Sequence, residues 1–117
     1  MLRPLNRAGS EALQFNYNSK AWKRKRRHIL NRDGYLCQEC SRYGKRIDAD
    51  TVHHIYPVEE YPQFAFCDWN LISLSLAAHD EMHDRITHKL TPKGLAWQQR
   101  RRREFEAASS ISPHPKS

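Results

Sequence analysis

Histidines at two places in the chain have the residue type and spacing of a metal or acid–base site. His79 and His83 are four residues apart, so on a helix both imidazoles would lie on one face and could reach one cation. His53 and His54 are adjacent in a segment typical of a strand, where neighbouring side chains face opposite sides. We therefore expect one of this pair to bind metal and the other to act nearby. The alternative interpretation is that these histidines are buried and merely structural.

Two familiar zinc motifs do not account for this spacing. The zincin motif requires Glu directly after the first helical His, and here Asp80 occupies that position. Cys37-x2-Cys40 followed by His53 matches three of the four ligands of a two-Cys, two-His finger, but residues 57–59 supply no fourth His. The histidines therefore belong to another kind of site.

The distribution of charge indicates a polyanionic partner. The 117 residues carry 20 Lys and Arg against 13 Asp and Glu, a net charge of +7. Basic residues are concentrated in two blocks, 20–32 and 100–103, whereas residues 47–84 contain no Lys or Arg, eight acids and four of the seven histidines. Either basic block, taken by itself, could simply be the solvent-exposed face of a helix. Basic blocks on both sides of a histidine cluster favour phosphate binding around a reactive centre.

Caps, turn signals and apolar spacing predict the elements that must hold the histidines. Ser19 can cap a helix that has one apolar face, and Asp33-Gly34 is typical of its end. Thr91-Pro92 is typical of the start of another helix. The predicted elements are a helix over 19–32, strands over 51–55 and 70–74, a helix over about 76–86 and a final helix through 97–105.

Length and composition predict a single domain and no membrane span. We expect a flexible arm over residues 1–18, a domain over 19–107 and a disordered tail over 108–117. The apolar stretch 69–78 is about half the length of a membrane-spanning helix. Three cysteines cannot all pair within one chain, which favours a reducing cytoplasm.

Five motifs follow one another along the chain: Arg32-Asp33, Cys37-x2-Cys40, His53-His54-Ile55-Tyr56-Pro57, Asn70-Leu71 and Leu74-x4-His79-x3-His83. In this order they resemble the HNH endonuclease family, in particular its small phage and prophage-type members. The resemblance covers residues 22–85, over half the chain. It implies an α+β fold, with a ββα-metal (His-Me finger) core flanked by basic α-helices.

The resemblance also implies a role for each matching residue. His53 and His79 fall on metal-ligand positions, and His83 falls where members have either a third ligand or a DNA contact. His54 falls on the general base. Asn70 completes the catalytic set, in which it holds the turn and the strand of the base in place.

The implied cofactor is one divalent metal ion. Because imidazole ligands suit Mn²⁺ and Ni²⁺ better than Mg²⁺, we expect Mn or Ni to be favoured over Mg. Many family members also have a second Cys-x2-Cys that completes a structural zinc site. Ser75 and Ala78 occupy its positions here, so structural Zn is not expected. Cys37, Cys40 and Cys67 are interpreted as small buried thiols or as the remnant of an inherited zinc site.

The predicted function is hydrolysis of DNA phosphodiester bonds, with nicking of one strand of double-stranded DNA by a monomer or weak dimer. The resemblance implies products with a 5′-phosphate and a 3′-hydroxyl. A phage terminase is a plausible partner, whereas a membrane is not expected. The predicted DNA contacts are Lys23, Arg24, Arg26, Arg27, Arg85, Arg100, Arg101, Arg102 and Arg103.

Two other functions fit parts of the sequence. A degenerate, inactive core on a basic scaffold would make a DNA-binding module. A small accessory protein of a phage packaging complex would have a structural role. The complete set of His53, His54, Asn70 and His79 favours the enzyme over both.

Overall fold

The computed structural model describes residues 15–110, which form an α+β fold. The predicted arm and tail therefore lie outside the described residues, except at 15–18, which lead through a turn into the first helix, and at 108–110, which end the last. The helices and strands are α1 (Lys20–Arg32), α2 (Gln38–Ser41), β1 (Thr51–His54), β2 (Leu71–Leu74), α3 (Leu76–Asp80), α4 (Pro92–Arg100) and α5 (Arg102–Ser110), with 3-10 turns at Pro62–Phe64 and Asp68–Asn70.

Helix α1 begins and ends where the sequence predicted. The Ser19 hydroxyl accepts a hydrogen bond from the Trp22 backbone N–H at 3.1 Å, which satisfies a donor of the first turn. Gly34 ends the helix with a φ of +65°, a conformation that glycine adopts without steric cost. The buried residues Trp22, Ile29 and Leu30 line the face that meets the sheet.

The two strands form an antiparallel hairpin, in which His53 pairs with Ile72 and His54 with Leu71. Helix α1 covers one face of this hairpin, where Val52 and Leu71 join its buried residues. The other face packs on α2 and α3, and Trp97 of α4 joins the same core. This core contains Cys37, Ile55, Tyr56, Ile72, Leu74, Ala78, Met82 and Trp97. The hairpin is therefore buried on both sides. One face of β1 packs against α1, and the other lines the core that contains Met82 and Trp97.

The end of α1 also closes the outer edge of β2. The Asp33 carboxylate, 8% exposed, accepts a hydrogen bond from the Ser73 backbone N–H at 3.0 Å. The Arg32 guanidinium donates to the Leu71 carbonyl at 2.7 Å and to the Asp33 carboxylate at 2.9 Å. These side chains satisfy backbone groups that a third strand would otherwise pair, which ties α1 to the sheet.

The helix predicted over 76–86 is wrong beyond Asp80. The carbonyls of Glu81 and Met82 accept hydrogen bonds from the hydroxyl and the backbone N–H of Thr91, at 2.5 and 2.9 Å, so they are not available to continue α3. Helix α4 packs closely on this segment, because a Cβ built at Gly94 would lie 2.6 Å from the Met82 carbonyl oxygen.

The predicted final helix is two helices. Thr91 caps α4 as predicted, with its hydroxyl accepting from the Gly94 N–H. The chain then breaks at Arg101, whose φ of −107° and ψ of 13° are not helical. Its guanidinium donates to the Trp69 carbonyl at 3.1 Å, and α5 begins at the next residue.

Among the described helices, none is both long enough and apolar enough to be a candidate membrane span.

Replacement of Asp33 by Ala should lower the free energy of unfolding by about 2–3 kcal/mol, because the Ser73 N–H and the Arg32 guanidinium lose a shielded partner. Urea denaturation followed by circular dichroism measures this change. Asp48→Ala, at an exposed position, is the matched control and should change stability by less than about 0.5 kcal/mol. Equal effects of the two variants would contradict the structural role of Asp33.

Candidate metal and catalytic site

Three imidazoles converge at the centre of the hairpin. One ring nitrogen each of His53, His79 and His83 lies within 4.8 Å of the other two. The ring centroid of His53 is 5.2 Å from that of His79 and 5.6 Å from that of His83. This spacing allows all three to bind one cation.

The burial of His53 supports metal binding. The residue is 1% exposed, and its Nε2 atom has no hydrogen-bond partner among the described residues. Burial, followed by the nearby imidazoles of His79 and His83, lowers the pKa of His53 well below its usual value. A neutral imidazole with an unpaired nitrogen is a strong metal donor, so these residues fit a divalent ion.

His83 reaches this cluster by a route that the sequence did not predict. His79 lies on α3, but the helix ends at Asp80, so the two histidines do not share a helix face. His83 is instead held by a backbone bridge to Leu90. A turn at residues 81–82 separates the two histidines, and both rings still reach His53.

His54 points to the opposite side of β1. Its Nε2 lies 3.1 Å from the Ala65 carbonyl oxygen, which can only accept, so Nε2 carries a proton. Nδ1 is then the acceptor in the neutral ring. The ring stacks on Trp22, with centroids 5.0 Å apart and planes 23° apart, and Phe15 contacts it edge-on.

The environment of His54 favours its neutral form. Burial lowers the pKa of His54, although the hydrogen bond to Ala65 and the nearby carboxylate of Glu59 act in the opposite direction. The ring is therefore a base at neutral pH, with one nitrogen fixed and the other able to take a proton.

Asn70 organises the backbone around His54. Its Oδ1 accepts from the Tyr56 N–H at 2.7 Å, and its Nδ2 donates to the carbonyls of Tyr56 and Phe64 at 3.1 and 3.2 Å. Ala65, whose carbonyl receives the His54 hydrogen bond, directly follows Phe64. The completely buried Asn70 side chain thus links the end of β1 to the loop that orients the base.

Both groups of histidines open into one cleft of about 460 Å³. Within residues 15–110, the charged side chains that line it are Arg26, Asp50 and Glu59. Arg26 is held there by a hydrogen bond to the Asp50 carbonyl at 2.6 Å. Sequence reasoning missed Glu59 as a site residue, because no motif places an acid from this loop beside the histidines.

Sequence reasoning also missed the aromatic wall of His54. Phe15 falls within the flexible arm predicted over residues 1–18. The apolar periodicity of α1 identifies Trp22 as buried, but not as the residue that stacks on an imidazole more than thirty positions away.

The first basic block has a surface free to meet a polyanion. Lys23, Arg24 and Arg27 are exposed on α1, and Arg26 lies at the entrance of the histidine cleft. Arg85 is exposed in the loop that follows His83. These positions allow phosphate contacts close to the site.

The second basic block is partly engaged in packing. The guanidinium groups of Arg100 and Arg101 lie 4.8 and 5.3 Å from the Trp97 ring centroid. Arg102 pairs with Glu106 at 3.0 Å, and Arg103 is exposed. Arg100, Arg102 and Arg103 line a separate depression that contains none of the histidines.

The cysteines do not belong to the histidine site. Cys37 is fully buried in the core, and its sulfur accepts from the Cys40 N–H at 3.5 Å. Burial by itself would raise the pKa of the Cys37 thiol. Hydrogen bonds from the backbone of Ser75 and Cys40 outweigh this effect, so the pKa is lowered. Cys67 is half-buried in the loop before Asn70.

The chain is similar in fold to a solved structure. The chain is similar to the HNH endonuclease of the deep-sea thermophilic bacteriophage GVE2, whose crystal structure contains manganese. The two are 29% identical and superpose with a TM-score of 0.56, over 81% of this chain and 87% of that one. No family model matches the chain, and no curated protein is significantly similar to it in sequence. The fold is therefore HNH-like, as the sequence motifs predicted.

Proposed function

We propose that this protein is a metal-dependent endonuclease that hydrolyses phosphodiester bonds of DNA. The observation that carries the proposal is the arrangement of β1, which presents a cluster of three imidazoles on one side and an oriented, neutral imidazole on the other. Both open into the same cleft. The similarity to a phage HNH endonuclease crystallised with manganese supports the same reaction class.

His53, His79 and His83 would hold the cation. When bound, the ion would act as a Lewis acid on the scissile phosphate and stabilise the leaving oxygen. Three imidazole ligands favour Mn²⁺ or Ni²⁺ over Mg²⁺, which prefers oxygen ligands. The buried Nε2 of His53 supports this assignment, because a ligand would satisfy an atom that otherwise lacks a partner in the described structure.

His54 would act as the general base. In this role Nδ1 takes a proton from the attacking water, while Nε2 keeps its proton and its hydrogen bond to Ala65. The Ala65 carbonyl then stabilises the imidazolium that forms. Trp22 and Phe15 restrict rotation of the ring, and Asn70 holds the loop that carries the carbonyl. The proposed products have a 5′-phosphate and a 3′-hydroxyl.

The exposed cations of α1 would bind phosphates beside the cleft without reading bases. A single site of this kind cuts one strand at a time, so nicking is the proposed event. An inactive DNA-binding protein would retain the basic surface but have no use for the buried histidine cluster. Relaxation of supercoiled plasmid with Mn²⁺, and its absence when the metal is chelated, separates the two functions.

The histidine cluster should bind one Mn²⁺ per chain, measured by isothermal titration calorimetry. His53→Ala should weaken binding at least about tenfold, because it removes the most buried ligand. His88→Asn is the matched control, since this exposed histidine lies outside the cluster and Asn tolerates its φ of +64°. Plasmid cleavage that is fastest in Mg²⁺ alone would contradict the ligand assignment.

His54→Ala should keep Mn²⁺ and DNA binding but slow plasmid nicking by about 10²-fold or more, the usual contribution of a general base. Nicking rates under single-turnover conditions measure this effect. Wild-type nicking by this variant would show that another group activates the water. Loss of Mn²⁺ binding would instead show that His54 is needed to form the metal site.

The double substitution Arg24→Ala and Arg27→Ala should weaken binding to duplex DNA and make it less sensitive to salt. Each lost phosphate contact lowers the slope of log affinity against log salt by about 0.9. Fluorescence anisotropy at several salt concentrations measures this slope. Lys45→Ala with Arg46→Ala removes the same charge from exposed positions outside α1 and should leave the slope nearly unchanged.

A further inference from the structure

A second surface depression continues from the histidine cleft along α1. It has a volume of about 580 Å³ and shares Tyr17, Arg26 and Asp50 with the cleft. We call it the tyrosine groove. It is formed chiefly by Tyr17, Lys23, Arg26, Arg27, Tyr35 and Asp50. A strand that leaves the cleft on this side would pass directly through it.

The groove combines exposed aromatic rings with positive charge. Tyr17 and Tyr35 are 52% and 46% exposed, although large aromatic side chains gain free energy when they are covered. Lys23 and Arg27 lie one helical turn apart, and neither has an ion-pair partner within residues 15–110. The Asp50 carboxylate is the one acid on the described walls, and it accepts a hydrogen bond from the Thr51 hydroxyl.

The backbone conformation of Tyr35 is a second, independent indication that this side chain has a role other than forming the turn. Its φ of +57° is left-handed, directly after Gly34 at +65°. A bulky side chain is disfavoured in this conformation, and Gly or Asn would form the same turn with less strain. The turn itself uses only the backbone of Tyr35, whose N–H donates to the Leu30 carbonyl at 2.8 Å. The turn's backbone hydrogen bonds do not need the tyrosine side chain, which costs the turn free energy and remains 46% exposed.

We propose that the tyrosine groove binds a single-stranded segment of DNA that continues the strand held in the cleft. Bases stack on Tyr17 and Tyr35, and Lys23, Arg26 and Arg27 contact the phosphates. Paired bases in a duplex are already stacked on one another and present only their edges, so an aromatic face selects unpaired bases. This inference rests on the proposed function and refines it. The preferred substrate has an unpaired segment next to the cleavage position.

The test compares a short fluorescein-labelled oligothymidylate, which forms no duplex, with a labelled hairpin duplex. Binding is measured by anisotropy on full-length His54→Ala protein with EDTA, so that no cleavage occurs. Tyr35→Leu should weaken oligothymidylate binding about five- to tenfold and duplex binding less than about twofold. Tyr35→Phe keeps the aromatic face and should remain within about twofold of the parent. Tyr43→Leu, at a tyrosine 64% exposed outside the groove, is the matched control.

The outcomes separate this inference from the proposed nuclease activity. Unchanged binding by Tyr35→Leu, or equal losses on both DNAs, overturns the single-strand groove even if the wild-type protein nicks plasmid. A selective loss on oligothymidylate supports the groove even if no cleavage is detected. Tyr17→Leu should act in the same direction, and its Mn²⁺ affinity shows whether the histidine site has remained intact.

Discussion

The alternation of side chains along one extended strand organises the whole site. His53 and His54 are consecutive, so β1 must direct one imidazole toward α3 and the other toward α1. This separation is useful only because both faces of the hairpin are covered. Ile72 and Leu74 pack on one side, and Leu71 packs on the other. A slip of one residue in the strand register would exchange the two histidines and place each in the environment built for the other.

Holding these imidazoles costs free energy that the surrounding fold must supply. A buried nitrogen without a hydrogen-bond partner among the described residues, such as Nε2 of His53, lowers the free energy of unfolding by about 1–3 kcal/mol unless a ligand binds it. Side chains that satisfy backbone groups offset this cost. Asn70 binds three backbone groups around the base, while Asp33 and Arg32 close the open edge of β2. Asn70, Asp33 and Arg32 thus have a structural role, and Asn70 holds the loop that orients His54.

Local signals predicted most of the elements and failed where distant contacts intervene. The cap at Ser19, the stop at Gly34 and the cap at Thr91 act within a few residues, so the sequence alone identifies them. The helix predicted over 76–86 ends early because Thr91, ten positions beyond Glu81, takes its carbonyl. The break at Arg101 likewise depends on a carbonyl from Trp69, which no local pattern reveals.

The sequence by itself determined the residue types and order of the site. The ordered motifs from Arg32-Asp33 to His83, which resemble those of the HNH endonuclease family, predicted an HNH-like α+β fold. Only the tertiary structure decided which of these side chains contact one another. It brought His83 to His53 through a turn that follows α3, stacked Trp22 on His54 and joined a tyrosine groove to the cleft. The reason is physical. Periodicity and caps report interactions within a turn or two of the chain, whereas imidazole geometry depends on contacts between residues far apart in sequence.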